Sequence, residues 1–216
     1  MVPADREQPS RPDGSGFLVV DDTSQAFDSD PDNLGTAISF LETALLPEFQ
    51  EVDRERILRF CADHADALQR SCLEGHLTAS AFVVDPAADA VALIHHRKLG
   101  LWLQPGGHAD GEGNLALVAR TEVDEEVGLT GLRWLFPAFD LSVHPIPARP
   151  GEPEHLHLDL RFVALTANGV PTAELTVNTA ETRGAGWIDR ADSRFSAVED
   201  VRVAAGRALD LAAAFG

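Results

Sequence analysis

Tyrosine is missing from this chain altogether, and methionine and cysteine barely occur: no Tyr, 1 Met and 2 Cys in 216 residues. Two thiols, Cys61 and Cys72, are too few for a disulfide framework and read as buried, reduced cysteines of a cytoplasmic protein. Positive charge is scarce as well. Only 17 Lys and Arg stand against 35 Asp and Glu, a formal net charge of −18. No basic stripe is available for a sequence-general grip on nucleic acid or on an anionic membrane, so neither is an expected partner. Small phosphorylated ligands stay in play, because a bound divalent cation inverts the local field. No run of roughly 18 apolar residues occurs, so no membrane-spanning helix is expected. The N-terminus lacks the basic-then-apolar order of a signal peptide. What is present, 44% apolar residues among mixed charges, suits a soluble globular protein. The length allows one domain with appended elements or two small domains.

Residues 1–33 are rich in Pro, Gly, Ser and Asp; apart from one strand-like run at Phe17 to Val20 they read as a mobile arm, a kind of segment that can also dock on its own domain or a neighbour. Residues 34–74 turn helical. Ile38, Leu41, Leu45 and Leu46 form one stripe ended near Pro47. Asp53 is the expected N-cap of a second helix, with Ile57, Phe60, Cys61, His64 and Leu68 inward. His64 reads as a packed or surface histidine. From Gly75 the pattern changes to a hairpin, Leu77 to Val84 and Ala90 to His95 about a turn containing Pro86. His95 and His96 would point to opposite faces. Arg97 and Lys98 are rare cations here and candidate contacts for a substrate phosphate.

The stretch Leu101 to Leu129 organises the rest. A short apolar run with Trp102 meets Pro105 and a glycine pair, Gly106 and Gly107; His108 follows, then an acidic loop with Asp110 and Glu112. From about Asn114 the spacing is helical, with Ala116, Ala119, Val123 and Val127 on one stripe. Glu122, Glu125 and Glu126 share another face at i, i+3 and i+4, where like charges repel by a few tenths of a kcal/mol per pair. A hard divalent cation relieves that repulsion with all-oxygen ligands. Gly128 stands where a C-cap glycine belongs.

Gly107 followed by Glu122-Val123-Asp124-Glu125-Glu126-Val127-Gly128-Leu129 resembles the Nudix box. Two positions depart from it: Gly113 replaces a Glu, and Thr121 replaces the Arg that pairs with that Glu. Glu112 and Arg120, each one residue early, are positioned to re-form the pair. The resemblance implies an α/β fold, an α/β/α sandwich with a mixed sheet over residues 75–216, preceded by the N-terminal helical extension. It implies hydrolysis of a phosphoanhydride bond in a nucleoside diphosphate linked to another moiety, with Mg²⁺ or Mn²⁺ as cofactor and, as in many such proteins, a homodimer. It assigns Glu122, Glu125, Glu126 and the Gly107 carbonyl as metal ligands, with Glu122 and Glu125 as the catalytic carboxylates. Asp110 and Glu112 are left outside the metal's own ligands.

Further on, Leu132 to Phe136 and Phe139 to His144 read as extended, then a proline-marked loop leads to His155-Leu156-His157-Leu158-Asp159-Leu160-Arg161-Phe162. The alternation is strict, so His155, His157, Asp159 and Arg161 share one face. A hairpin would lay Asp140, Ser142 and His144 beside them. This face reads as a substrate-binding wall, with Arg161 on phosphate and the imidazoles, His157 among them, and Asp159 as partners; a transition-metal site is the lesser alternative. His108, after the glycine pair, is a separate candidate for contacting substrate. A strand is expected at Ala173 to Val177 and another at Gly186 to Ile188. Glu181 between them is either an extra ligand or base, or a surface residue. Val198 to Phe215 is expected as a closing helix. Trp102 is placed to stack on a base or to fill core. Besides an enzyme, the pattern allows a sensor that binds a nucleotide derivative without cleaving it, or an interaction protein recruiting through its acidic surface. A DNA-reading role is disfavoured, for no helix has a basic face.

Overall fold

The computed structural model describes residues 15–87, 89–149, 151–167, 174–178, 182–196 and 198–215. In chain order these form β1 (Leu18–Asp21), α1 (Leu34–Thr43), α2 (Glu51–Asp63), β2 (Gly75–Asp85), β3 (Ala90–His96), β4 (Trp102–Leu103) and β5 (Gly106–His108). They continue with α3 (Leu115–Val127), β6 (Arg133–Ile146), β7 (His155–Leu165), β8 (Thr182–Asp189) and α4 (Glu199–Ala212). The strands make one sheet in the order β1-β6-β7-β2-β3-β4, with β5 added to β2 and β8 to β3. Among the described residues only β2 and β7 run parallel; the other pairings are antiparallel, so the sheet is mixed.

Side chains alternate across this sheet, and the two faces build two cores. Leu77, Ala79 and Ala81 of β2 and Leu158, Leu160 and Phe162 of β7 pack beneath Leu41 of α1, Ile57 of α2 and Leu115, Ala119 and Val123 of α3. Phe82 and Val84, with Val163 and Leu165, face the other way onto Ala205, Ala208 and Leu209 of α4. The result is the expected α/β/α arrangement. Helices α1 and α2 belong to the first of these cores rather than to one of their own. Burial pushes the Cys61 thiol there up to about 11, an inert neutral group. No helix among the described residues is long and apolar enough to cross a membrane.

Several boundaries differ from expectation. From Phe17 onward the arm is docked: β1 pairs with β6, and Phe27 is buried against Trp134 and Phe136. Aromatic burial outweighs the Asp- and Pro-rich composition on which mobility was expected. Helix α2 begins at Glu51, two residues before Asp53, and ends at Asp63, so His64 and Leu68 lie beyond it. Helix α1 stops at Thr43, before Leu45 and Leu46. The two extended runs after α3 form one strand, β6, irregular between Leu135 and Asp140. Residues 174–178 carry no regular structure where a strand was expected, and Ala173 and Glu181 lie outside the described residues.

Candidate active site

Strand β2 is the spine of the site. It takes β7 on one side; on the other it takes β5 at Thr78–Ser80 and β3 at Val83–Asp85. The glycine pair is therefore strand, with Gly107 opposite Ala79 and Gly106 opposite Ser80. Glycine is required at both by close approach. A Cβ at Gly106 would stand 2.3 Å from Ser80 Cβ, and one at Gly107 would stand 1.9 Å from Glu122 Oε1. The Glu122 carboxylate thus lies directly on the Gly107 backbone.

Helix α3 delivers it there. Asn114 caps the N-terminus, accepting from the Leu117 N–H at 3.1 Å. Gly128 ends the helix at φ +69°, a left-handed cap natural to glycine. Between them Val123 and Val127 are buried against the sheet, which sets the rotation of the carboxylates. Glu126 is 3% exposed and accepts from the Gly106 N–H at 3.1 Å. Glu122 is half-buried and Glu125 is exposed. Two of the three carboxylates therefore flank the glycine pair and the third reaches solvent. All three together are not among the His, Cys, Asp and Glu trios whose ligand atoms converge within 4.8 Å. The donors present, carboxylate and carbonyl oxygens, are those a hard divalent cation takes, and the cradle on Gly107 is one that a side chain there would fill.

The two departures from the box have a structural partner. A Cβ at Gly113 would meet the Asn33 carbonyl oxygen at 2.3 Å and that of Asp30 at 2.8 Å, because residues 29–33 cross over this position. Glu112 does not pair with Arg120. It accepts from Ser29 Oγ at 2.5 Å, from the Asp30 N–H at 2.8 Å and from the Asn114 N–H at 2.8 Å. Arg120 instead lies over the Phe27 ring, 5.6 Å from its centroid. Both residues now hold the N-terminal segment. Asp110, at φ +47°, is paired with Arg70 through both oxygens at 2.6 and 2.5 Å, and Arg70 holds its carboxyl below the usual range.

The opposite face of β2, β5, β6 and β7 carries the polar strand. Register sets His144 beside His157, Ser142 beside Asp159 and Asp140 beside Arg161, as the alternation predicts. Arg161 is 2% exposed, and each of its three nitrogens is on a carboxylate: Nε on Asp159 at 3.0 Å, Nη1 on Asp140 at 3.1 Å and Nη2 on Asp200 at 2.6 Å. Burial opposes its charge, but Asp159, Asp140 and Asp200 outweigh it and raise its pKa. Arg207 also pairs with Asp140. Asp159 accepts from Thr78 Oγ1 at 2.9 Å and Ser80 Oγ at 2.7 Å. The expectation of Arg161 on a substrate phosphate meets a guanidinium whose three nitrogens are already taken by Asp159, Asp140 and Asp200. Asp200 of α4 is the partner the strand pattern could not reveal.

At the other end of that face lie the imidazoles. His76, opposite His157 in the β2–β7 register, has ring centroids 4.9 Å from His108, 4.9 Å from His155 and 5.0 Å from His157. Desolvation, then neighbouring imidazoles, lowers His157 to about 2; desolvation, then Arg70, lowers His108 to about 4. His157 and His108 thus share a cluster, set on the opposite sheet face from Glu122. His76 was not expected at a site. Its signal was the alternation His76, Thr78, Ser80, visible only once β2 is known to lie beside β7. Arg97 and Lys98 are exposed at the end of β3, and an Arg97 Nη2 contact reaches the Thr182 carbonyl at 3.5 Å. Trp102 has His95 stacked on it at 5.2 Å and the Arg194 guanidinium over it at 4.9 Å.

The sequence matches no family model and no curated protein. Among solved structures, the chain is similar to a Nudix-family hydrolase from Clostridium perfringens, with 23% identity, 63% of this chain and 97% of that one covered, and a TM-score of 0.45. It is likewise similar to a MutT Nudix hydrolase from Burkholderia pseudomallei, with 21% identity, 62% and 97% covered, and a TM-score of 0.47. The dihydroneopterin triphosphate pyrophosphohydrolase of E. coli is 15% identical over 61% of this chain and 92% of that one, with a TM-score of 0.49.

Proposed function

We propose that this chain is a Nudix-type hydrolase that cleaves a phosphoanhydride bond in a nucleoside diphosphate linked to another moiety, with Mg²⁺ or Mn²⁺ as cofactor. One observation carries the reading: a helix carboxylate, Glu122, rests on the backbone of Gly107 where no side chain fits. Glu126, anchored to the Gly106 N–H, stands on the same glycine pair, and Glu125 immediately precedes it on the helix.

In this proposal Glu122, Glu125, Glu126 and the Gly107 carbonyl hold the cation, which when bound neutralises charge on the non-bridging oxygens and lowers the pKa of water. The chain's residues do the rest. Glu122, lying against the Gly107 backbone of β5, is the carboxylate placed to accept a proton. Glu125, open to solvent, is the carboxylate that a polyphosphate reaches first. Arg97 and Lys98 supply positive charge at the neighbouring strand end. Arg161 and Asp159 act by tying β6, β7 and α4 together rather than by touching substrate.

The test is incubation with a panel of nucleoside diphosphate derivatives and Mg²⁺ or Mn²⁺, reading phosphate or mononucleotide release. Release that requires the cation supports the proposal. A second reading, a sensor that binds such a ligand without cleaving it, is favoured by one observation, the exposure of Glu125 away from the other two carboxylates. Saturable binding with no product would establish it over the first.

A further inference from the structure

We propose that His76, His108 and His157 form a transition-metal site, zinc being the ion their chemistry favours. It is separate from the helix carboxylates and lies on the other face of the sheet.

Three strands contribute one imidazole each: β2, β5 and β7. One nitrogen from each ring lies within 4.8 Å of those of the other two. Tetrahedral zinc, with Zn–N of about 2.0–2.1 Å, sets its ligand nitrogens roughly 3.4 Å apart, so the rings need to lean inward by about an ångström. Imidazole nitrogen suits zinc and its neighbours in the first row, whereas Mg²⁺ takes oxygen. The two sites therefore select different ions.

A second observation points to a ligand. His76 is 3% exposed, and neither of its ring nitrogens has a hydrogen-bond partner. The Cys72 carbonyl influences the ring without making a hydrogen bond of normal geometry. His157 Nε2 is also buried and unpartnered. Buried polar atoms left this way are rare, and a phenyl or isobutyl group would fill the same space without the penalty. An ion at the centre of the trio satisfies one lone pair on each ring. His108 and His157 are only half-buried, so the fourth position opens to water.

The surroundings are compatible with such an ion. Arg70 is the nearby cation, and the bidentate pair with Asp110 balances it. His155 lines the buried side, its Nδ1 donating to the Pro153 carbonyl at 2.9 Å. Because β5 carries both His108 and Gly107, an ion here would clip β5 to β2 and β7. The inference stands apart from the hydrolase reading and does not need it.

The test uses the full chain without a polyhistidine tag, exposed to excess zinc, passed through gel filtration and measured for metal content by mass spectrometry. Cobalt replacement adds a spectroscopic readout of coordination. One zinc per chain is expected, with cobalt bands of tetrahedral intensity. Both should be lost in His157→Ala and in His108→Ala, with circular dichroism unchanged, and both kept in Glu125→Gln. If His157→Ala fails to fold, the half-buried His108→Ala still decides. A second trio, His64, Asp66 and Cys72, also lies within 4.8 Å. Zinc lost in Cys72→Ser but kept in the histidine variants would overturn the proposal. So would a wild-type chain that emerges without zinc, or octahedral cobalt.

Discussion

A methyl group at Gly113 has nowhere to go. Its backbone is not in the left-handed region, so the cost of Gly113→Ala is steric rather than torsional: a Cβ 2.3 Å from one backbone oxygen and 2.8 Å from another. Neither is the end of a flexible side chain. Shifting the crossing segment by a fraction of an ångström costs about 1–3 kcal/mol by comparison with overpacked cores. Releasing the segment costs more. It exposes Phe27, roughly 1.5–3 kcal/mol. It also breaks the hydrogen bonds from Asn114 Nδ2 to the Ala26 and Asp28 carbonyls at 2.9 and 2.8 Å and from Ser29 and Asp30 to Glu112, about 1 kcal/mol each. Gly113→Ala should therefore take the cheaper route, strain with the segment in place. Gly113→Glu, which restores the box residue, should exceed it and release residues 25–33. Urea denaturation reads the first effect as a lowered midpoint at constant slope. Hydrogen exchange reads the second as lost protection at Phe27 and Asp28. A Gly113→Glu chain as stable as the wild type would refute the view that the N-terminal segment replaced the box pair.

Other expectations follow from the same geometry. Arg161→Leu leaves buried Asp159 with hydroxyl partners but no cation, while Asp140 keeps Arg207 and Gln50, and should lose about 3 kcal/mol of stability; a fully stable variant with only a raised KM would restore the phosphate-contact role. The imidazoles give the metal-free protein an acid sensitivity. Their folded pKa values are depressed, so the unfolded chain binds more protons, and the stability they contribute is complete above 6.5 and is lost as pH falls toward about 4 for His108 and about 2 for His157. Midpoints measured with chelator should fall across that window, by up to about 1.4 kcal/mol per pH unit for each ring, and less so in His157→Phe. Gly107→Ala should displace the Glu122 carboxylate, the flexible member of that contact, and so cost turnover far more than stability; unchanged turnover would detach Glu122 from the reaction.

Local chemistry was legible in the sequence and long-range pairing was not. Asn114, Gly128 and the stripe of Val123 and Val127 marked α3 to within a residue, because capping and periodicity act over a few positions. The β6–β7 register followed from the alternation of Asp140 to His144 against His155 to Arg161. The parallel pairing of β2 with β7 joins residues some eighty positions apart, and no local signal encodes it. His76 consequently drew no notice as a site residue, and Arg161 was assigned to phosphate while Asp200 of α4 was unplaced. Glu112 and Arg120 were read against each other when each had a partner in residues 27–30, a segment whose composition concealed its docking.

The central claim, that the helix carboxylates form a divalent-metal platform for hydrolysis, is tested most directly at Glu125. Its exposure makes Glu125→Gln neutral for stability, so a change in rate reports on chemistry alone. With the best substrate of the panel and Mg²⁺ or Mn²⁺, product release should fall by roughly 100-fold or more while the urea midpoint stays in place. A Glu125→Gln chain that turns over at the wild-type rate would contradict the account.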